Sequence, residues 1–161
     1  MQTALHKSCI FGSTNSFKIL MEYFYRKEEN RFSINQIDTN GNTALATAIE
    51  NHSKTIQINN RLVKINNLVI INDLIAANAD TKTLNFQNNS CSHLLGLNTD
   101  CSIDDKLKIL KRLNVTLYQL TEIRNIYGKN VYPDSWESIL KFNNAQVFKF
   151  LTFFFKQIKV K

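Results

Sequence analysis

Cys91, His93 and Cys101 lie close together in the chain, and His6 and Cys9 stand one helical turn apart. Thiolate and imidazole are the ligands of zinc and the components of a Cys–His nucleophile, so these positions are the first to weigh for chemistry. Zinc sites, however, take four ligands, usually in paired C-x2-4-C or H-x3-5-H spacings. Only one C-x-H step is present here, without a second pair, and no metal is expected. Asp104 and Asp105 are adjacent carboxylates with nothing basic placed to set their pKa values apart. They read as acids in the first turn of a helix rather than as a general acid and base. Lys106, Lys108, Lys111 and Arg112 gather on that same helix. A nucleic-acid surface would need exposed aromatics beside them, whereas Phe148, Leu151 and Phe155 recur at helical spacing, the pattern of a core. No Gly-rich phosphate loop, dinucleotide fingerprint, H-E-x-x-H or G-x-S-x-G occurs. The expectation is a chain that is not an enzyme, with no cofactor and no nucleic-acid ligand.

The composition bounds what kind of molecule carries these residues. A chain of 161 residues with 43% hydrophobic content can bury a real core. No apolar run approaches the roughly 20 residues that span a bilayer, so no membrane span is expected. The start, Met1-Gln2-Thr3-Ala4-Leu5, lacks a basic segment followed by an apolar one, and no secretory leader is read there. Three scattered cysteines suit a reducing compartment better than a disulfide framework. A cytoplasmic location follows, or the host-cell cytoplasm if the chain is a secreted effector. The net charge of +7 falls in the last part of the chain, where eleven Lys/Arg face five Asp/Glu from Ser102 onward. A solvated face of long helices accounts for that excess.

The elements that must position any site are most legible in Ile34–Asn51. Asp38-Thr39-Asn40-Gly41 marks a tight turn, because Asn and Gly tolerate positive φ. Thr43 follows as an N-cap, then Ala44, Leu45, Ala46, Ala48 and Ile49 as a short helix of small residues around one large anchor. This passage resembles the ankyrin repeat, V-N-x-x-D-x-x-G-x-T-x-L-x-x-A, through Ile34, Asn35, Asp38, Gly41, Thr43, Leu45 and Ala48. Thr3-Ala4-Leu5-His6 is similar to the T-P-L-H box of that family, in which Thr caps the first helix and His links neighbouring repeats. The resemblance implies an all-α ankyrin-repeat solenoid of about four helix-turn-helix repeats with short hairpin loops and insertions. The repeats would run over roughly 1–33, 34–80, 81–120 and 121–161, a single array and a piece of a longer chain.

Further helices are read from periodicity. Gly12 ends the first helix, and Asn15–Arg26 carries Phe17, Leu20, Met21 and Phe24 on one face. His52–Arg61 is an insertion, either looped or an extension of the next helix, Leu62–Ala77, whose core positions include Leu62, Ile65, Val69 and Leu74. Asn78 takes a left-handed C′ position. Around Ser90 two frames stay open: with Ser90 as the cap, His93 falls on the family histidine and Ser92 on a buried slot. A shift of two residues places Leu94 there and loses the His. Asp104–Leu113 is a helix, Asn125–Asn130 a turn, Tyr132-Pro133 starts a helix bearing Trp136, Ile139 and Leu140, and Asn144–Lys159 is a Phe-rich helix apolar nearly all round.

What the resemblance implies about function is a non-catalytic protein-protein interaction module. It would bind a partner protein through hairpin tips and the concave helix face. The tips are Gln36, Ile37, Thr39 and Asn40, then Leu84, Phe86 and Gln87, then Arg124, Ile126 and Tyr127. Phe86, Ile126 and Tyr127 are the best anchors, since turns do not need large apolar groups to fold. The alternative is an accessory region, as in effector-like enzymes, that docks on a catalytic domain of the same polypeptide through the 144–159 helix.

Overall fold

Thr3, Thr43, Ser90 and Ser102 each hold an extended backbone just before a helix. Their side-chain oxygens accept from the N–H of the third helical residue, relieving one orphan donor per helix. These caps fix where the chain turns into helix in the computed structural model, which describes residues 2–26, 33–114, 123–130 and 152. The helices are α1 (Ala4–Phe11), α2 (Thr14–Arg26), α3 (Ala44–Asn51), α4 (Leu68–Ala76), α5 (Cys91–Leu97) and α6 (Ile103–Leu113). Between α3 and α4 lies an antiparallel hairpin of β1 (Thr55–Ile58) and β2 (Arg61–Lys64).

The helices pack as pairs, α1 with α2, α3 with α4 and α5 with α6. The first members form one row, α1–α3–α5, and the second members a row behind it. Helix α3 has neighbours on several sides, and every residue from Ala44 to Ile49 is buried. Its alanines permit that close approach, while Leu45 and Ile49 fill the space between rows. Phe17, Ile70, Ile71, Leu74, Leu95, Ile109 and Leu110 complete the core. Each such side chain contributes roughly 1.5–3 kcal/mol relative to exposure.

The architecture corrects the all-α expectation. Among the described residues the chain has six helices and a two-stranded antiparallel sheet, a mixed α/β fold rather than an all-α ankyrin solenoid of four repeats. The hairpin has a local cause: Thr55, Ile56, Ile58 and Val63 are β-branched, and Asn59 and Asn60 both adopt positive φ, 47° and 62°. Their two-residue turn pairs Ile58 with Arg61 and Thr55 with Lys64. At the base, Ser53 N–H donates to Ile65 O, and Ile65 N–H donates to Lys54 O. Two residues thus face one, a bulge with Ser53 at φ 67°.

The second helix of that pair therefore begins at Leu68, not Leu62. Leu62 lies on β2, 78% exposed, and Val69 is half-exposed, so neither is core, whereas Ile65 and Leu74 are buried. Asn78 does take the left-handed conformation. Ser90 is the cap of α5 and His93 its third residue, which selects between the two frames. Lys106 turns inward and its Nζ donates to Gly96 O, so the four cations of α6 do not form one surface cluster. Apart from Thr152, the helices expected at Tyr132-Pro133 and Asn144–Lys159 lie outside the described residues.

Candidate functional site

Three turns share one geometry. In each, an Asp or Asn accepts through its side-chain oxygen from the N–H groups two and four residues on, and a main-chain pair closes the loop. Asp38 Oδ1 accepts from Asn40 and Asn42, Asn85 Oδ1 from Gln87 and Asn89, and Asn125 Oδ1 from Tyr127 and Lys129. Gly41, Asn88 and Gly128 supply the positive φ that each turn needs.

The turns are also joined to one another. Phe86 N–H donates to Asn40 O at 3.1 Å, and Ile126 N–H donates to Gln87 O at 3.0 Å. Asn85 Nδ2 donates to Asn42 Oδ1, and Asn125 Nδ2 to Asn89 Oδ1, both buried. From below, His6 Nε2 donates to Asn42 O, while its Nδ1 faces the Thr3 hydroxyl. His93 repeats the arrangement from Ser90 to Lys129 O. The result is one ridge in which the tips are held in register by backbone and buried amides.

All ten tip residues read from the sequence are exposed: Gln36, Ile37, Thr39, Asn40, Leu84, Phe86, Gln87, Arg124, Ile126 and Tyr127. Seven of them cluster on the three linked turns or their bridge at Arg124; Gln36 and Ile37 precede the first turn and Leu84 the second. Phe86, Ile126 and Tyr127 are 66%, 57% and 67% exposed, an apolar exposure that the fold does not require. Phe86 nonetheless lies close over Gly41: a Cβ there would stand 2.7 Å from its ring and its backbone N.

What lies beneath the ridge has no signature in the sequence. A groove of about 300 Å³ opens between the first two turns, with Thr39, Asn40, Phe86 and Gln87 as its rim and Glu50 and Leu94 below. Asn42 Nδ2 donates to Glu50 Oε2 at 3.2 Å while Asn42 Oδ1 accepts from Asn85, so two buried amides lead to the carboxylate. Glu50 reads in sequence as an ordinary surface acid, and nothing in its spacing from Asn42 marks the contact.

The residues first weighed for chemistry are placed elsewhere. Among the described residues no cluster of three His, Cys, Asp or Glu side chains could hold a metal. Burial pushes the Cys9 and Cys91 thiols up to about 12 and Cys101 to about 11, so all three stay protonated and unreactive near neutral pH. His52 accepts on Nδ1 from Asn67 N–H and turns Nε2 toward Asp105 at 3.8 Å. No described helix is long and apolar enough to cross a membrane.

No family model matches the chain, and no curated protein matches it. Among solved structures it is similar to one chain of the complex between a predatory endopeptidase from Bdellovibrio bacteriovorus and an immunity protein, with a TM-score of 0.54 and 16% identity. The match covers 78% of this chain and 55% of that one, so the chain spans about half the length of its solved counterpart. At that identity the two share a fold.

Proposed function

We propose that this chain is a non-catalytic protein-binding module whose ridge of turns meets the partner, with Phe86, Ile126 and Tyr127 as anchors. The observation that carries the reading is their exposure on turns locked to one another. Apolar groups held in a fixed row lose little entropy on binding. The similar solved chain comes from a complex between two proteins, and protein binding is carried to this chain as part of the proposal. Kinship of the single turn–helix units with ankyrin repeats belongs to it as well. The buried, protonated thiols support the non-catalytic part.

The test is affinity capture with the 161-residue protein and its Phe86→Ala/Tyr127→Ala variant, at low and high salt. An apolar ridge should hold its partner at high salt and lose it by about tenfold or more in the variant, with the far-UV CD of the two proteins superimposable. A partner retained by the variant overturns the reading. A second reading, an accessory region docking on a catalytic domain, is favoured by one feature. Phe11 and Ile19, 53% and 68% exposed, line a groove of about 640 Å³ on α1 and α2. Capture lost in Phe11→Ala/Ile19→Ala but kept in the ridge variant would select it.

A further inference from the structure

We infer that the groove under the first two turns takes an arginine side chain of the partner, an assignment that rests on the ridge being the binding face. The groove of about 300 Å³ is mostly polar, unlike an ordinary hydrophobic pocket, and three kinds of group line it. Glu50 supplies a carboxylate. Its Oε2 is oriented by Asn42, itself fixed by Asn85, so the acid is held in place before anything binds. Phe86 stands at the rim with its ring exposed, and the neutral Thr39, Asn40 and Gln87 complete that edge. A planar cation that forks onto a carboxylate and stacks on an aromatic face is a guanidinium. An ammonium uses only the charge, and an anion would meet Glu50.

Lys54 is the internal competitor. It stands 3.7 Å from Glu50 Oε1, one turn on, with both side chains more than a third exposed. Such a pair is weak and leaves the carboxylate open to a better donor. A bound guanidinium would displace Lys54 and keep the Asn42 bond.

The experiment follows amide shifts of the 15N-labelled 161-residue protein on titration with N-acetyl-arginine amide, and with N-acetyl-citrulline amide as a neutral probe of the same shape. Saturating shifts at Gly41, Glu50, Phe86 and Leu94 with arginine are expected, with citrulline weaker by about tenfold or more. Glu50→Gln should weaken the arginine probe to the citrulline level, and Lys54→Ala should tighten it by about twofold. Equal response to the two probes, no saturable shift, or an unchanged Glu50→Gln variant overturns the assignment. If the probe fails while partner capture still depends on Phe86 and Tyr127, the groove falls and the ridge stands. If capture ignores the ridge, the ridge falls whatever the probe does.

Discussion

Gly41 does two things, and only one of them can be read in the sequence. Its φ of 76° is the conformation that a turn after Asp38 needs, as the order Asp-Thr-Asn-Gly suggests. Its missing Cβ also leaves room for Phe86, which comes from a turn far along the chain. Gly128 has a similar φ of 71°, and among the described residues a Cβ there would meet nothing within 4 Å. Gly128→Ala should therefore cost only the left-handed strain, about 1–2 kcal/mol. Gly41→Ala should cost that and a displaced Phe86, roughly 2–4 kcal/mol in total. Urea denaturation of the two variants reads the difference, and equal costs would mean that Phe86 moves aside freely. The histidines make a second case. Burial lowers the pKa of His52 and His93 from the ordinary 6.5, so the folded protein holds both neutral. The unfolded chain binds more protons below that value. The stability they contribute is thus fully present above about pH 6.5 and is lost as pH falls toward the depressed folded values, by up to about 1 kcal/mol per histidine per pH unit. Unfolding at pH 7.5 and 5.5 should show the drop. His52→Asn, whose Oδ1 can accept from Asn67 as Nδ1 does, should flatten part of it; a slope unchanged in that variant would acquit His52.

Helices with a cap and a clear apolar face were legible, and the hairpin was not. Thr3, Thr43 and Gly12 announce their roles in short boxes, and the Phe17–Met21 spacing marks a helix without further context. The segment after His52 reads as an insertion, looped or an extension of the next helix, because its apolar residues are too few for a core helix. Yet Ile56 and Ile58 alternate with Thr55 and Gln57 at the period of a strand, and Asn59-Asn60 is a hairpin turn. A ribbon that leaves β2 wholly exposed contributes little to the core, so its strands carry no burial signal in the sequence. The same fact yields a prediction. Replacing Thr55–Lys64 by a two-residue Asn-Gly turn keeps the bulge at Ser53 and the buried Ile65. It should leave helical CD intact and shift the melting temperature by no more than a few degrees, about 1 kcal/mol. Collapse of the helical signal would show that the ribbon supports the helix rows after all.

Across the whole molecule, the inner helices are tied together at their C-terminal ends by side chains from units further on. Asn67, fully buried, donates from Nδ2 to Cys9 O and Ala48 O at 2.8 and 2.9 Å, joining α1 and α3 to the start of α4. Asn98 repeats this one step along, donating to Ile49 O and His52 O. Lys106 does the same for α5 through Gly96 O. None of these contacts has a sequence signature, because each depends on residues brought together only by the stacking of the pairs. They satisfy carbonyls that a short helix leaves orphaned, and they make the end of α3 a shared support. Removing Asn67 strands the Cys9 and Ala48 carbonyls, and removing Asn98 strands the His52 carbonyl and the Cys101 N–H, so each should cost about 2–4 kcal/mol. The two losses should not add. Once Asn67→Ala frees the Ala48–His52 segment, Asn98 has a looser target, so the double variant should be more stable than additivity predicts by about 0.5 kcal/mol or more. Asn67→Ala combined with Asn125→Ala, which shares no bonding partner with it, should be additive and serves as the control. Strict additivity in both cycles would mean that the helix pairs are held independently and that the shared end of α3 transmits nothing between them.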